Sequence, residues 1–156
     1  MQKKNYFILI LIFIISNISV FSEELELNKR MPIITDSDLV INIADISENV
    51  LYYPIVIDGV SLEVLAVRVF DGTIRVAFNT CMICASSGKG YFVQVGSVLV
   101  CQNCGNRYRM SQVGRESGGC NPEPIFNENQ IVTDDMIIIS RDFLSDHLFM
   151  FENWRE

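Results

Sequence analysis

The sequence is short of the groups that most enzymes need. Across 156 residues it holds one histidine, His147, placed late in an apolar segment. No serine or cysteine stands in a nucleophile–base pattern. No glycine-rich phosphate loop and no paired-carboxylate signature is present, so hydrolytic chemistry has no support. His147 reads as a surface or capping residue before it reads as a ligand. Basic residues are also scarce: 12 Lys and Arg face 19 Asp and Glu, a formal charge of −7. Phosphate backbones would repel such a chain, which argues against nucleic acid. The balance suits cations, a basic partner, or simply a solvated acidic surface. There is no low-complexity tract and no internal repeat beyond one pair of short cysteine motifs. With 49% apolar residues, the length is that of one domain with a real core.

Acidic residues are missing altogether before Glu23, while Lys3 and Lys4 are present. Together with the apolar run Tyr6 to Phe21, and with Val20 and Ser22 small enough for a cleavage site, this predicts a secretion signal at 1–22. The run is short for a membrane span, which needs about 20 residues. An uncleaved N-terminal anchor is the alternative. Either way the expected location is outside the cytoplasm, in the periplasm or on the outer face of the cytoplasmic membrane. Residues 23–38 read as a linker or extended arm, and 39–156 as the domain.

What the chain does have is sulfur. Cys81-Met-Ile-Cys84 is followed, after sixteen residues, by Cys101-Gln-Asn-Cys104-Gly105, and then by Gly118-Gly-Cys120-Asn-Pro122. Two Cys-x-x-Cys turns at this separation can bring four thiolates onto one ion. Gly105 suits the left-handed position after the second turn, and Ala85 suits the first one less. Disulfides are the competing reading, because an exported chain meets oxidants. Five cysteines cannot all pair, and bridging Cys81 to Cys84 or Cys101 to Cys104 would close loops too short to stabilise much. Cys120 has three readings: a fifth or alternate ligand, a neighbour whose loop covers the site, or an inert buried thiol. Met82 and Met110 lie near the thiols and could suggest Cu(I), although methionine more often fills a core.

The surrounding pattern is mostly β. Strands are expected at Leu39–Ile43, Leu51–Ile57, Leu62–Val69, Thr73–Phe78, Tyr91–Val95, Val98–Cys101, Arg107–Val113, Ile131–Val132 and Met136–Ile139. Pro54 implies an edge or a bulge. Asp58-Gly59 and Asp71-Gly72 mark hairpins. Ser117–Pro124 reads as an irregular Gly/Pro loop. Ser140 caps a short C-terminal helix with Phe143, Leu144, Leu148 and Phe151 on one face. The fold class is thus mainly β: small antiparallel sheets and hairpins carrying two Cys-x-x-Cys knuckles.

Arg75-Val-Ala-Phe-Asn-Thr-Cys-Met-Ile-Cys84, Gly90-Tyr91, Cys101-Gln-Asn-Cys104 and Gly118-Gly-Cys-Asn-Pro-Glu-Pro124 together resemble the iron–sulfur-containing, FtrD-like family of exported or membrane bacterial proteins. The resemblance covers roughly residues 39–140. It implies an iron–sulfur centre on Cys81, Cys84, Cys101, Cys104 and Cys120. It also implies association with membrane iron-uptake or permease components, and a role in electron transfer or iron handling. The layout is similar to Rieske domains, with two metal-binding loops and a Gly/Pro loop over them, but here without histidine; an all-thiolate site has the lower potential. From the residues alone, a structural Zn²⁺ site is the alternative cofactor, and a Cys-x-x-Cys thiol–disulfide oxidoreductase a weaker one.

Overall fold

A computed structural model describes residues 33, 34 and 36–155. The signal segment at 1–22 and most of the arm at 23–38 lie outside these residues. In chain order the strands are β1 (Ile33–Ile34), β2 (Leu39–Asn42), β3 (Leu51–Ile57), β4 (Val60–Arg68), β5 (Ile74–Phe78), β6 (Phe92–Val95), β7 (Val98–Cys101), β8 (Arg107–Arg109), β9 (Glu123–Pro124), β10 (Ile131–Val132) and β11 (Met136–Ile139). The one α-helix among the described residues, α1, spans Arg141–Asp146.

The strands form three small sheets, ordered β1-β3-β4-β5-β9, β10-β11-β2 and β6-β7-β8. All pairings are antiparallel except β1 with β3. The mainly β architecture expected from the alternating pattern is the one observed. Asp58 and Gly59 both take positive φ in the β3–β4 turn, as a tight Asp-Gly hairpin requires. Pro54 pairs with Glu63 of β4, and among the described residues β1 pairs with β3 only at Ile55 and Val56, past Pro54.

β4 is the centre of the molecule and is apolar on both faces. Leu62, Val64 and Ala66 enter one core, with Ile41, Phe78, Ile139, Leu144 and Phe151. Leu65 and Val67 enter a second, with Ala77, Phe92, Leu99 and the three buried cysteines. One strand therefore buries a face against each layer, which is why its sequence reads as a nearly continuous apolar run. The first core joins β4 and β5 to β2, β11 and α1. The second joins the opposite face of β4 and β5 to the cysteine lobe. Each fully buried aliphatic or aromatic side chain contributes about 1.5–3 kcal/mol.

Two expectations are corrected. The strand read at Arg107–Val113 stops at Arg109, and Met110–Gln112 form a 3₁₀ turn. The turn's three-residue repeat sends both Met110 and Val113 into the second core, which strand alternation would not do. The loop read at Ser117–Pro124 ends in β9, where Glu123 and Pro124 pair with Phe78 and Ala77.

At the C-terminal end Ser140 Oγ accepts the Phe143 N–H, the predicted cap. Leu144 and Phe151 are buried, while Phe143 and Leu148 pack partly on the same core. His147 closes the helix. Its Nδ1 donates to the Phe143 carbonyl at 2.7 Å, and its ring stacks on Phe78 at 5.0 Å. The histidine thus serves the aromatic core and the helix end.

Candidate metal centre

The first knuckle begins where β5 runs out. The Cys81 carbonyl accepts the N–H groups of Cys84 (3.1 Å) and Ala85 (2.9 Å). The Cys84 N–H also points at Cys81 Sγ, 3.2 Å away. A single 3₁₀ turn, Ala85–Ser87, follows and ends at Gly88 with φ 72°. The left-handed residue of this knuckle is therefore Gly88, and Ala85 needs none of glycine's freedom. Cys81 N–H then reaches across to the Gly90 carbonyl at 3.1 Å.

The second knuckle begins at the end of β7. Gly105 N–H closes onto the Cys101 carbonyl at 3.0 Å, and Gly105 takes φ 72°, as its place in the turn predicts. Gln102 N–H donates to the Tyr91 carbonyl at 2.9 Å, which joins this knuckle to the chain leaving the first. The third loop arrives through two consecutive left-handed glycines, Gly118 and Gly119. It is held by Asn106 Nδ2 on the Cys120 carbonyl at 2.7 Å and by Glu123 N–H on the Thr80 carbonyl at 2.9 Å.

These three loops bring the sulfurs together. The Sγ atoms of Cys81, Cys84, Cys101 and Cys120 all lie within 4.8 Å of one another. Cys81, Cys84 and Cys101 are buried and Cys120 is half-buried. Cys104 is exposed, with its Sγ 2.9 Å from Cys120 Sγ. All five are free thiols. The mutually close quartet is thus one Cys-x-x-Cys pair, one cysteine of the second pair, and Cys120.

Electrostatics separate the thiols. Burial pushes Cys81 up to about 11. Burial also raises Cys101, against backbone N–H groups of Cys104 and Asn103 that lower it. Cys120 is driven upward by burial and by the crowding of Cys104 and Cys81. Exposed Cys104 goes the other way, to about 7, chiefly through its contact with Cys120 and then the Asn106 N–H. A thiol gives up its proton when it takes a cation, so the burial that raises Cys81, Cys101 and Cys120 makes metal loading strengthen as pH rises.

Behind the sulfurs lies a polar link that sequence reasoning missed. Asn79 Oδ1 accepts the Phe92 N–H at 2.8 Å, and its Nδ2 donates to Glu63 Oε1 at 2.7 Å. Asn79 thereby fixes the start of β6 against the end of β5, two residues ahead of Cys81. Glu63 is buried and also meets Arg155 Nη2 at 2.9 Å. Arg155 lies over the Tyr91 ring and donates its backbone N–H to the Gly88 carbonyl. The available signal was one carboxylate, Glu63, inside the apolar run of β4.

Burial raises Glu63 above the ordinary carboxylate range, outweighing Asn79 and Arg155, which lower it. A raised carboxyl favours folding in its protonated form. Its contribution is whole below the unfolded pKa and is lost as pH rises through the folded one. In Glu63→Gln the side chain keeps an acceptor for Asn79 but cannot ionise. Thermal melts from about pH 4 to 8 should show the wild type losing stability relative to the variant as pH rises. A variant that falls progressively behind the wild type over that range would reverse this assignment.

The pattern of one family matches residues 46–151, two thirds of the chain and all five cysteines. The chain belongs to the FtrD-like family. Its members are described as membrane iron–sulfur containing proteins. No curated protein and no solved structure matches this FtrD-like chain. Among the described residues no helix is long and apolar enough to cross a membrane.

The donor set fits a soft metal ion, iron or zinc alike. Four convergent thiolates in a tetrahedral arrangement are a site for zinc or for thiolate-bound iron. Metal–sulfur bonds of about 2.3 Å place tetrahedral ligands about 3.8 Å apart, within the observed spacing.

Proposed function

We propose that this FtrD-like chain is an exported iron–sulfur protein that moves single electrons or handles iron beside a membrane iron-uptake system. Its metal is held by Cys81, Cys84, Cys101 and Cys120, with Cys104 at the margin. What carries this reading is the family to which the chain belongs, joined to a quartet of sulfurs, three buried and one half-buried, gathered in one place. Bound iron would supply a one-electron couple whose potential depends on hydrogen bonds to sulfur and on solvent access. The chain's own residues set both. The Cys84 N–H donates to Cys81 sulfur, and Phe92, Leu99 and Val113 wall the quartet from water on the core side. Cys104 leaves one thiol at the surface, where a donor or acceptor could approach. The segment at 1–22 directs the chain outward, and membrane permease components are the proposed partners.

A second reading is favoured by the spacing itself. All four sulfurs stand close enough for one ion, whereas a cluster spreads its ligands over several irons. Zinc in such a closed site would stabilise the fold without redox chemistry. Anaerobic purification decides between the two. Visible absorption, an EPR signal on reduction or oxidation, and iron with sulfide in whole-number ratio are expected. A colourless protein with stoichiometric zinc overturns the iron reading.

A further inference from the structure

The outer face of the β6-β7-β8 sheet has an unusual composition. The register places Val93 opposite Val100, and Val100 opposite Arg107. One step along, Val95 faces Val98 and Val98 faces Arg109. Two parallel Val-Val-Arg rows therefore cross the sheet on the side away from Phe92, Leu99 and Cys101. Val93 and Val95 are exposed, and none of the four valines belongs to either core. Neither arginine has an ion-pair partner among the described residues.

The apolar area extends beyond the rows. Phe70, 86% exposed at the β4–β5 turn, lines the same surface cleft as Val98 and Arg109. Glu48 is the carboxylate in that cleft. Charge is partitioned along the chain in the same sense. From Gly72 to Arg115 there are five Lys and Arg and no Asp or Glu, which leaves seven basic against nineteen acidic residues elsewhere. The run is bounded by Asp71 and Glu116, and Glu116 is near enough to act on Tyr108 of β8, so the positive charge belongs to the Arg107 and Arg109 face and not to the whole cysteine lobe.

We propose that this valine–arginine face, with Phe70 at its border, rests on the anionic surface of a lipid bilayer. Short β-branched side chains meet the interface, and Arg107 and Arg109 meet lipid phosphates. The acidic remainder is repelled, so the molecule has one preferred orientation, with the cysteine lobe lowermost. The inference uses no cysteine and holds whichever metal is bound.

The test is sedimentation of the full chain with vesicles of phosphatidylcholine alone or with roughly a third phosphatidylglycerol. Any apolar N-terminal segment contributes equally to wild type and variants, so the face is read from their difference. Anionic lipid should strengthen binding, and salt at about 0.5 M should remove the gain. Arg107→Gln and Arg109→Gln should each weaken the gain about fivefold. Arg107→Lys with Arg109→Lys should keep most of it, and Arg141→Gln, with the same loss of charge elsewhere, should leave it intact. Thermal melts check that each variant is folded; should the double Gln variant unfold, the single variants decide. No gain from anionic lipid, an equal loss in Arg141→Gln, or full binding by the Gln variants overturns the proposal. Binding to native membranes that pure lipid cannot reproduce also overturns it, in favour of an acidic protein partner.

Discussion

In a Cys120→Ser variant, bound metal is expected to fall at least about 100-fold below wild type, as it should in Cys81→Ser. The reason is the composition of the quartet: Cys120 Sγ lies within 4.8 Å of Cys81, Cys84 and Cys101. Serine would leave an oxygen that is a poor match for a soft thiolate site. Cys104→Ser should behave differently. Cys104 is exposed and lies at the edge of the set, against Cys120 first and then Cys101 and Cys84, so its loss should leave most of the metal bound while altering solvent access and, for iron, the potential. Metal content of the five single Ser variants, measured after identical purification, gives the ranking. If Cys104→Ser empties the site while Cys120→Ser retains it, the ligands are the two Cys-x-x-Cys pairs and the quartet is wrong.

Gly90→Ala is expected to be the most damaging change at a residue that carries no functional group. A Cβ there would sit 2.6 Å from the Cys84 carbonyl carbon, 2.7 Å from its oxygen and 2.9 Å from the Ala85 nitrogen. All three are backbone atoms of the first knuckle, so no flexible side chain can give way. The Cys81–Ala85 turn must move, and with it the Cys81 N–H bond to the Gly90 carbonyl. Overpacking of this kind costs about 1–3 kcal/mol, and here the displaced atoms carry two of the sulfurs. The variant should melt below wild type and bind little metal. Gly59→Ala is the matched control: Gly59 takes φ +82° but has open space around it, so strain of roughly 1 kcal/mol should leave the site intact. Equal metal content in both variants would remove the close-approach argument.

Much of this was legible in the sequence because it is local. Alternation located most strands to within a residue or two, the Ser140 cap placed α1, and the Cys-x-x-Cys spacing announced the two knuckles. Gly118-Gly119 signalled a loop able to approach something closely, and the structure puts Cys120 beside the other sulfurs. Less legible was which cysteines come closest. Spacing treats Cys101 and Cys104 alike, whereas the end of β7 turns one inward and leaves the other outside. The Asn79–Glu63–Arg155 link was hidden for a different reason: Arg155 and Glu63 are 92 residues apart, and no periodicity connects them. The valine–arginine rows depend on cross-strand register, which turns a plain alternation into a face. The net charge of −7, read as a single number, concealed the acid-free run from Gly72 to Arg115.

β2 pairs along its whole length with β11, so residue 39 waits for residue 139 before the first core can close. Contacts so distant along the chain are slow to form. Throughout that delay the five thiols between them belong to an open polypeptide, where any oxidant can couple the wrong partners. The cell must therefore either shield the nascent thiols or deliver the metal early, and the yield of correctly assembled protein should depend on which arrives first, ion or oxidant.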